Sequence, residues 1–136
     1  MGGFALPIFV ATTMMETKSK IAAGKAKDKA YQMEAKQVEM QGQAQSNERL
    51  RALNDALSTQ QAMFGAQGRV GSNGSAQAIQ QGDTNKALSD IEMIKAGVSS
   101  SSSSLKSAGT TARRQANTDA AMSTAESLYK YSQLGK

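Results

Sequence analysis

The chain has 136 residues, a formal net charge of +5 and 4% aromatic residues, with no cysteine, histidine or tryptophan. The absence of cysteine and histidine excludes disulfides, thiolate nucleophiles, histidine acid–base catalysis and histidine-linked metal sites. So few large apolar side chains cannot fill a thick core, and the composition therefore predicts thin helix–helix seams in a non-enzymatic protein without a cofactor.

An apolar N-terminal segment occupies residues 1–15. Residues 2–15 carry no charge, and they are too few for a membrane-spanning helix, which needs about 20 residues. Because lysines follow the segment at once, we expect it to contact a membrane surface or to insert into a groove of another protein. The predicted membrane contacts are Phe4, Leu6, Ile8, Phe9 and Val10.

A long helix is predicted over residues 16–64. This stretch contains no proline, and only Gly24 and Gly42 interrupt a series of good helix formers. Near its end, apolar residues recur at three- and four-residue spacing, which is typical of a helix seam. The predicted seam residues are Leu50, Leu53, Leu57 and Phe64.

A Gly/Ser turn is predicted at residues 65–75, where four glycines fall within ten residues. Glycine adopts positive φ without steric cost, so it can end one helix and let the chain reverse. The turn glycines are Gly65, Gly68, Gly71 and Gly74. A flexible linker would have the same composition, and that alternative stays open.

A second helix is predicted over residues 76–98, with one stripe formed by Ile79, Ala87, Leu88, Ile91, Ile94 and Val98. A short connection favours antiparallel packing of this stripe against Leu50 to Phe64. Six consecutive serines follow at 99–104. Each serine costs a few tenths of a kcal/mol relative to alanine in a helix, so we expect a weakened or broken helix there.

A C-terminal helix and tail of small residues are predicted over 105–136. Alanines recur every four residues and form a ridge that would let another helix approach closely, although alanine abundance alone could produce the same pattern. The ridge consists of Ala108, Ala112, Ala116 and Ala120. Together the elements predict an all-α protein, a long helical hairpin about a Gly-rich turn plus a C-terminal helix, extended rather than globular and ordered by oligomeric assembly.

Basic residues concentrate towards the two ends of the chain. Residues 16–36 hold six lysines and three acidic residues, and residues 99–136 hold five basic and two acidic residues. A hairpin would bring these ends together, so its base could face DNA phosphates or anionic lipid, or could simply be solvated. The predicted basic contacts are Lys18, Lys20, Lys25, Lys27, Lys29, Arg113 and Arg114.

The order of these elements resembles the small internal virion proteins of short-tailed bacteriophages. The resemblance rests on the apolar N-terminus and on four stretches: Lys36-Gln-Val-Glu-Met-Gln-Gly-Gln-Ala, Gly68-Arg-Val-Gly-Ser-Asn-Gly-Ser75 leading into Ala76-Gln-Ala-Ile, Leu88-Ser-Asp-Ile-Glu, and Ala125-Glu-Ser-Leu-Tyr-Lys-Tyr-Ser. This chain is short for the family, and its serine run is not a feature of the family.

The resemblance implies a homo-oligomeric, ring-forming subunit of the internal core near the portal, in contact with the portal and the other internal virion proteins. It also implies release with the genomic DNA and a part in a conduit across the host envelope membrane. Two other roles stay open: a portal- or tail-bound adaptor, and a filament or translocator subunit of a secretion apparatus.

Overall fold

The chain forms two long α-helices. A computed structural model describes the backbone of residues 5–68 and 74–134, and the side chains within residues 11–68 and 74–134. Helix α1 spans Ala5–Ala66 and helix α2 spans Gly74–Leu134, with 62 and 61 residues. These ranges contain no strand. The prediction of an all-α protein is therefore confirmed.

Both helices extend further than the sequence predicts. Helix α1 begins at Ala5, so the backbone of residues 5–15 belongs to it rather than to a separate apolar segment. Helix α2 continues without a break from Gly74 to Leu134, so the predicted second and C-terminal helices are one. The segment after Ala5 contains Pro7, which a helix tolerates in its first turn because no intrahelical N–H bond is lost there.

The expected weakening at residues 99–104 is wrong, because the whole serine run is helical. The propensity cost of each serine is small, and one serine of the run makes a tertiary contact. Ser102 is buried and donates a hydrogen bond to Glu39 Oε1 of α1 at 2.5 Å. A hydrogen bond to a charged acceptor offsets the cost of several serines, so packing overrides local propensity.

Helix α1 ends at Ala66, and a glycine in the left-handed conformation follows two residues later. The amide of Gln67 donates to Met63 O at 3.1 Å, and the amide of Gly68 donates to Gly65 O at 3.3 Å. Gly68 has a φ of 66°, a conformation that favours glycine. Gly74 is the first residue of α2, and the predicted turn residue Gly71 lies outside the described residues.

Residues cluster into two units, each made of one stretch from α1 and one from α2. The terminal unit joins Met1–Ala35 with Ser103–Lys136, and the turn unit is Lys36–Ser102. Within the terminal unit the two stretches run antiparallel, because the hydroxyl of Thr17 lies 3.2 Å from that of Thr124 and the later Asp28 pairs with the earlier Arg113 at 3.5 Å. Gly24, Asp28, Ala35, Gly109 and Ala120 form the buried part of its seam.

The stretches of the turn unit are also antiparallel. Gln60 Nε2 donates to Asp83 Oδ2 at 2.8 Å, and Arg49 Nε donates to Asp90 Oδ2 at 3.0 Å. The seam between them is as thin as that of the terminal unit, and Ile91 is its one large buried apolar side chain among the described residues. The other buried positions are small: Gly42, Ser46, Ala76, Ala87 and Ser102.

Three predicted seam residues lie largely outside this seam. Leu50, Ile79 and Leu88 are 46%, 52% and 48% exposed. Leu88 directly follows the buried Ala87, so it is turned by about 100° away from the partner helix. Leu53, Leu57, Phe64 and Ile94 are half-buried.

Candidate interaction surfaces

Close helix approach in the terminal unit depends on glycine. A Cβ added at Gly24 would collide with Ala116 Cβ and would lie 3.5 Å from Arg113 Cα. A Cβ added at Gly109 would lie 2.7 Å from Asp28 Oδ1 and 3.2 Å from Tyr31 Cβ. The alanine ridge therefore faces the chain's own first helix: Ala108, Ala112 and Ala116 are half-buried and Ala120 is buried.

Glycine has the same role in the turn unit. A Cβ added at Gly42 would collide with Val98 Cγ2. Gly24 and Gly42 are eighteen residues apart, which is five helical turns, so they share one face of α1. The eighteen-residue spacing of two glycines within a helix is therefore the sequence signal for these close approaches.

A buried carboxylate crosses the seam of the terminal unit. Asp28 is 7% exposed, accepts a hydrogen bond from Gln32 Nε2 at 3.3 Å and pairs with Arg113 Nη1 at 3.5 Å. Its Oδ1 lies against Gly109, where no side chain intervenes. A buried polar group with one fitting partner position favours a single register of the two helices. Nothing in the local sequence around Asp28 indicated this role.

Large apolar side chains point outward from both units. Met15 is 73% exposed, Met33 70%, Met93 65% and Met122 67%. Methionine is flexible and polarisable, and it is common at surfaces that adapt to a partner. The other exposed large apolar residues are Met14, Met40, Leu50, Met63, Ile79, Leu88, Leu128, Tyr129, Tyr131 and Leu134.

The net charge resides in the terminal unit. That unit holds ten basic and five acidic residues, whereas the turn unit holds six of each. The predicted basic residues all belong to the terminal unit, and their lysines are exposed. Arg113 is half-exposed and is the only one of the seven that the structure places in an ion pair. An excess of positive charge on one unit attracts polyanions to that unit.

Two of the predicted basic residues, Lys20 and Lys27, have carboxylates as neighbours. They line a groove of the terminal unit together with Asp119 and Glu126, and Lys27 also lines an adjoining groove with Glu34.

A hydrogen bond from Lys130, which lies 2.9 Å from Glu126 Oε1, lowers the pKa of the Glu126 carboxyl. The positive charges of Lys130 and Lys20 lower that pKa further.

The described residues contain no cluster of three or more carboxylate ligands that could hold a metal ion. Neither α1 nor α2, within its described residues, has a stretch apolar enough to cross a membrane. The predicted membrane contact Phe4 lies outside the described residues, as do the side chains of Leu6, Ile8, Phe9 and Val10.

Comparison with known proteins gives no match. Neither the family models, nor the curated proteins, nor the solved structures contain a significant relative of this chain.

Proposed function

We propose that this protein is a non-enzymatic helical subunit that assembles with further copies of itself, and that it is an internal virion protein of a short-tailed bacteriophage. The observation that carries the assembly is the distribution of apolar side chains. Alanines, glycines and serines occupy most of the buried positions of both seams, whereas methionines and leucines are exposed on both units. Large exposed apolar surface favours burial against a partner.

The energetic balance supports the same proposal. Burying one methylene contributes about 0.8 kcal/mol, and ordering one backbone residue costs about 1 to 2 kcal/mol. Seams of small side chains bury few such groups per ordered residue. Contacts between subunits would supply the missing burial, and side chains such as Met33 and Met122 are available to make them.

The phage role rests on the sequence resemblance. It places the protein inside the capsid near the portal, with the portal and the other internal virion proteins as partners. After release with the genome, the subunits would line part of a conduit in the host envelope. The apolar residues of the N-terminal segment would then contact the membrane, with genomic DNA passing close to the basic unit.

The proposal is tested by measuring the amount of this protein in phage particles before and after genome release. Quantitative mass spectrometry of purified virions should detect the chain, and particles emptied of DNA should have lost it. Retention in emptied particles would instead indicate a portal- or tail-bound adaptor. If virions never contain the protein, the phage role is wrong, and a secretion-apparatus subunit becomes the better assignment.

The assembly itself is tested separately by sedimentation of the purified chain. Oligomers that dissociate on dilution are the expected result. A compact monomer with a sharp thermal transition at all concentrations would contradict the proposed assembly, because such a monomer would not need partner surface for its stability.

A further inference from the structure

Three lysines of α1 share one flank of the terminal unit. Lys18 directly follows the half-buried Thr17, and Lys25 and Lys29 directly follow the buried Gly24 and Asp28. One residue turns an α-helix by about 100°, so a residue that follows a seam position always emerges on the same side of the seam. Lys18, Lys25 and Lys29 thus line a single edge, which we call the basic edge.

The two remaining lysines of this stretch lie on the opposite flank. Lys20 directly precedes the half-buried Ile21, and Lys27 directly precedes Asp28. Both line grooves whose acidic residues are Glu34, Asp119 and Glu126. We call this second flank the mixed edge, because its lysines have carboxylates for neighbours.

Helix α2 adds a fourth cation to the basic edge. In an antiparallel pair, the residues that follow seam positions on the two helices emerge at the same edge. Arg113 directly follows the half-buried Ala112, and its guanidinium reaches Asp28 while remaining 50% exposed. Arg114 is turned a further step away, towards the outer face of α2.

The basic edge has no exposed carboxylate within the described part of the terminal unit. Of the five acidic residues there, Asp28 is buried, and Glu34, Asp119 and Glu126 line the grooves of the mixed edge. Glu16 directly precedes Thr17 and therefore belongs to the mixed edge as well. The two edges differ in sign although they share one pair of helices.

We propose that the basic edge binds the phosphate backbone of double-stranded nucleic acid without sequence preference. Lys18 and Lys29 are separated by about 16 Å along α1 at 1.5 Å per residue. A duplex carries about one negative charge per 1.7 Å of its axis, so phosphates are available to every cation of the edge in any register. The carboxylates of the mixed edge orient the duplex towards the basic edge.

Between Lys18 and Lys29, the composition of the edge favours a duplex over single strands and over a membrane. Tyr31, the aromatic residue nearest to this stretch, lines a groove of the mixed edge, so the basic edge offers no ring for stacking on unpaired bases. Between Lys18 and Lys29 the same flank of α1 carries Ala22, and Asn117 is its counterpart on α2. Neither is a large apolar side chain of the kind that enters lipid beside cations. The exposed Met14 and Leu128 directly follow the half-buried Thr13 and Ser127, so they lie on the same flank but beyond Lys18.

The test compares two double variants of the full-length chain with the same net charge. Lys25→Gln/Lys29→Gln removes two cations from the basic edge, and Lys20→Gln/Lys27→Gln removes two from the mixed edge of the same helix. Binding to a fluorescent DNA duplex of arbitrary sequence is measured by anisotropy between about 50 and 200 mM salt. Circular dichroism establishes that both variants keep the helical content of the parent.

The basic-edge variant should bind about tenfold more weakly or worse, and its slope of log K against log salt should fall by about 1.8, since each phosphate contact contributes about 0.9. The mixed-edge variant should stay within about twofold of the parent. Equal losses in both variants would overturn the proposal, because net charge alone would then explain the binding. No loss in either variant would overturn it as well.

Two further measurements test whether a membrane or a second copy of the chain binds the basic edge instead. If the parent binds vesicles of anionic lipid but not the duplex, and Lys25→Gln/Lys29→Gln abolishes vesicle binding, the edge is a membrane contact and the proposal is wrong. If that variant changes the sedimentation of the protein without nucleic acid, the edge contacts a second copy and the proposal is also wrong. The inference deepens the proposed function by naming a partner, yet duplex binding and presence in virions are separate measurements and can fail separately.

Discussion

Gly24 and Ala116 face each other where the two helices of the terminal unit come close together, and adding a methyl group at Gly24 tests this approach. Gly24→Ala places a Cβ on top of Ala116 Cβ, with Arg113 Cα at 3.5 Å and Ala112 O at 3.6 Å. Alanine has no rotamer with which to avoid the collision, and the other two neighbours are backbone atoms. The helices must therefore move apart, and overpacking of this kind costs about 1 to 3 kcal/mol.

The change also removes a glycine from the interior of a helix, which by itself stabilises by about 1 kcal/mol. Gly82→Ala measures that benefit separately, because Gly82 is helical and exposed and a Cβ there meets nothing within 4 Å. We expect Gly82→Ala to stabilise by about 1 kcal/mol, and Gly24→Ala to be about 1 to 3 kcal/mol less stable than this control.

The reciprocal change completes the cycle. Ala116→Gly alone should destabilise by about 1 kcal/mol through helix propensity. In Gly24→Ala/Ala116→Gly the propensity effects cancel and the seam again holds one methyl group, so the free energy of unfolding should return close to that of the parent. Urea unfolding followed by circular dichroism at fixed protein concentration gives all four values. If Gly24→Ala stabilises as much as Gly82→Ala, the helices do not touch at this position and the reasoning is refuted.

Two smaller changes test the polar contacts. Ser102→Ala should lower the free energy of unfolding by about 1 kcal/mol, because it removes the hydrogen bond to Glu39. Ser100→Ala, at an exposed position of the same run, should raise that free energy by a few tenths of a kcal/mol. Equal effects of the two changes would contradict the role of Ser102. The carboxyl of Glu126 should titrate below its ordinary pKa, and Lys130→Ala should return that pKa towards normal in an NMR titration, because Lys130 is the main cause of the shift. Because the pKa of Glu126 is lowered in the folded state, its contact with Lys130 stabilises the end of α2 near neutral pH. This stabilisation is lost as the pH falls through the pKa of Glu126. An unchanged titration of Glu126 in Lys130→Ala would show that Lys130 is not the cause of the shift.

The alanine ridge packs within the chain and is therefore not available as a surface between subunits. Ala108 to Ala120 would be an interface between subunits if each helix presented it outward, but the residues lie in the seam with the chain's own α1. Surfaces between copies must therefore be sought among the exposed methionines and the C-terminal tyrosines. A large residue at Ala116 is expected to destabilise the chain itself before it affects any assembly.

The sequence determined that this protein is helical and where its first helix stops. Long stretches of good helix formers without an internal proline leave few alternatives, and the glycine that adopts a positive φ lies in the one glycine-rich stretch. These features are local, since they depend on the backbone preferences of neighbouring residues. The proposed role rests on a resemblance that specifies no residue contact.

Only the tertiary structure decided which side of each helix is used. Leu88 looked like a seam residue by spacing, yet it is exposed, because Ala87 and Ile91 face the partner helix and Leu88 is turned by about 100° from Ala87. The lysines of residues 18–29 form one cluster in the sequence, but the position of the seam divides them between two edges. Ser102, within the helical serine run, donates a hydrogen bond to Glu39, which is 63 positions away in the sequence. Local preference cannot show such contacts, because they depend on the rotation and register of one helix against the other.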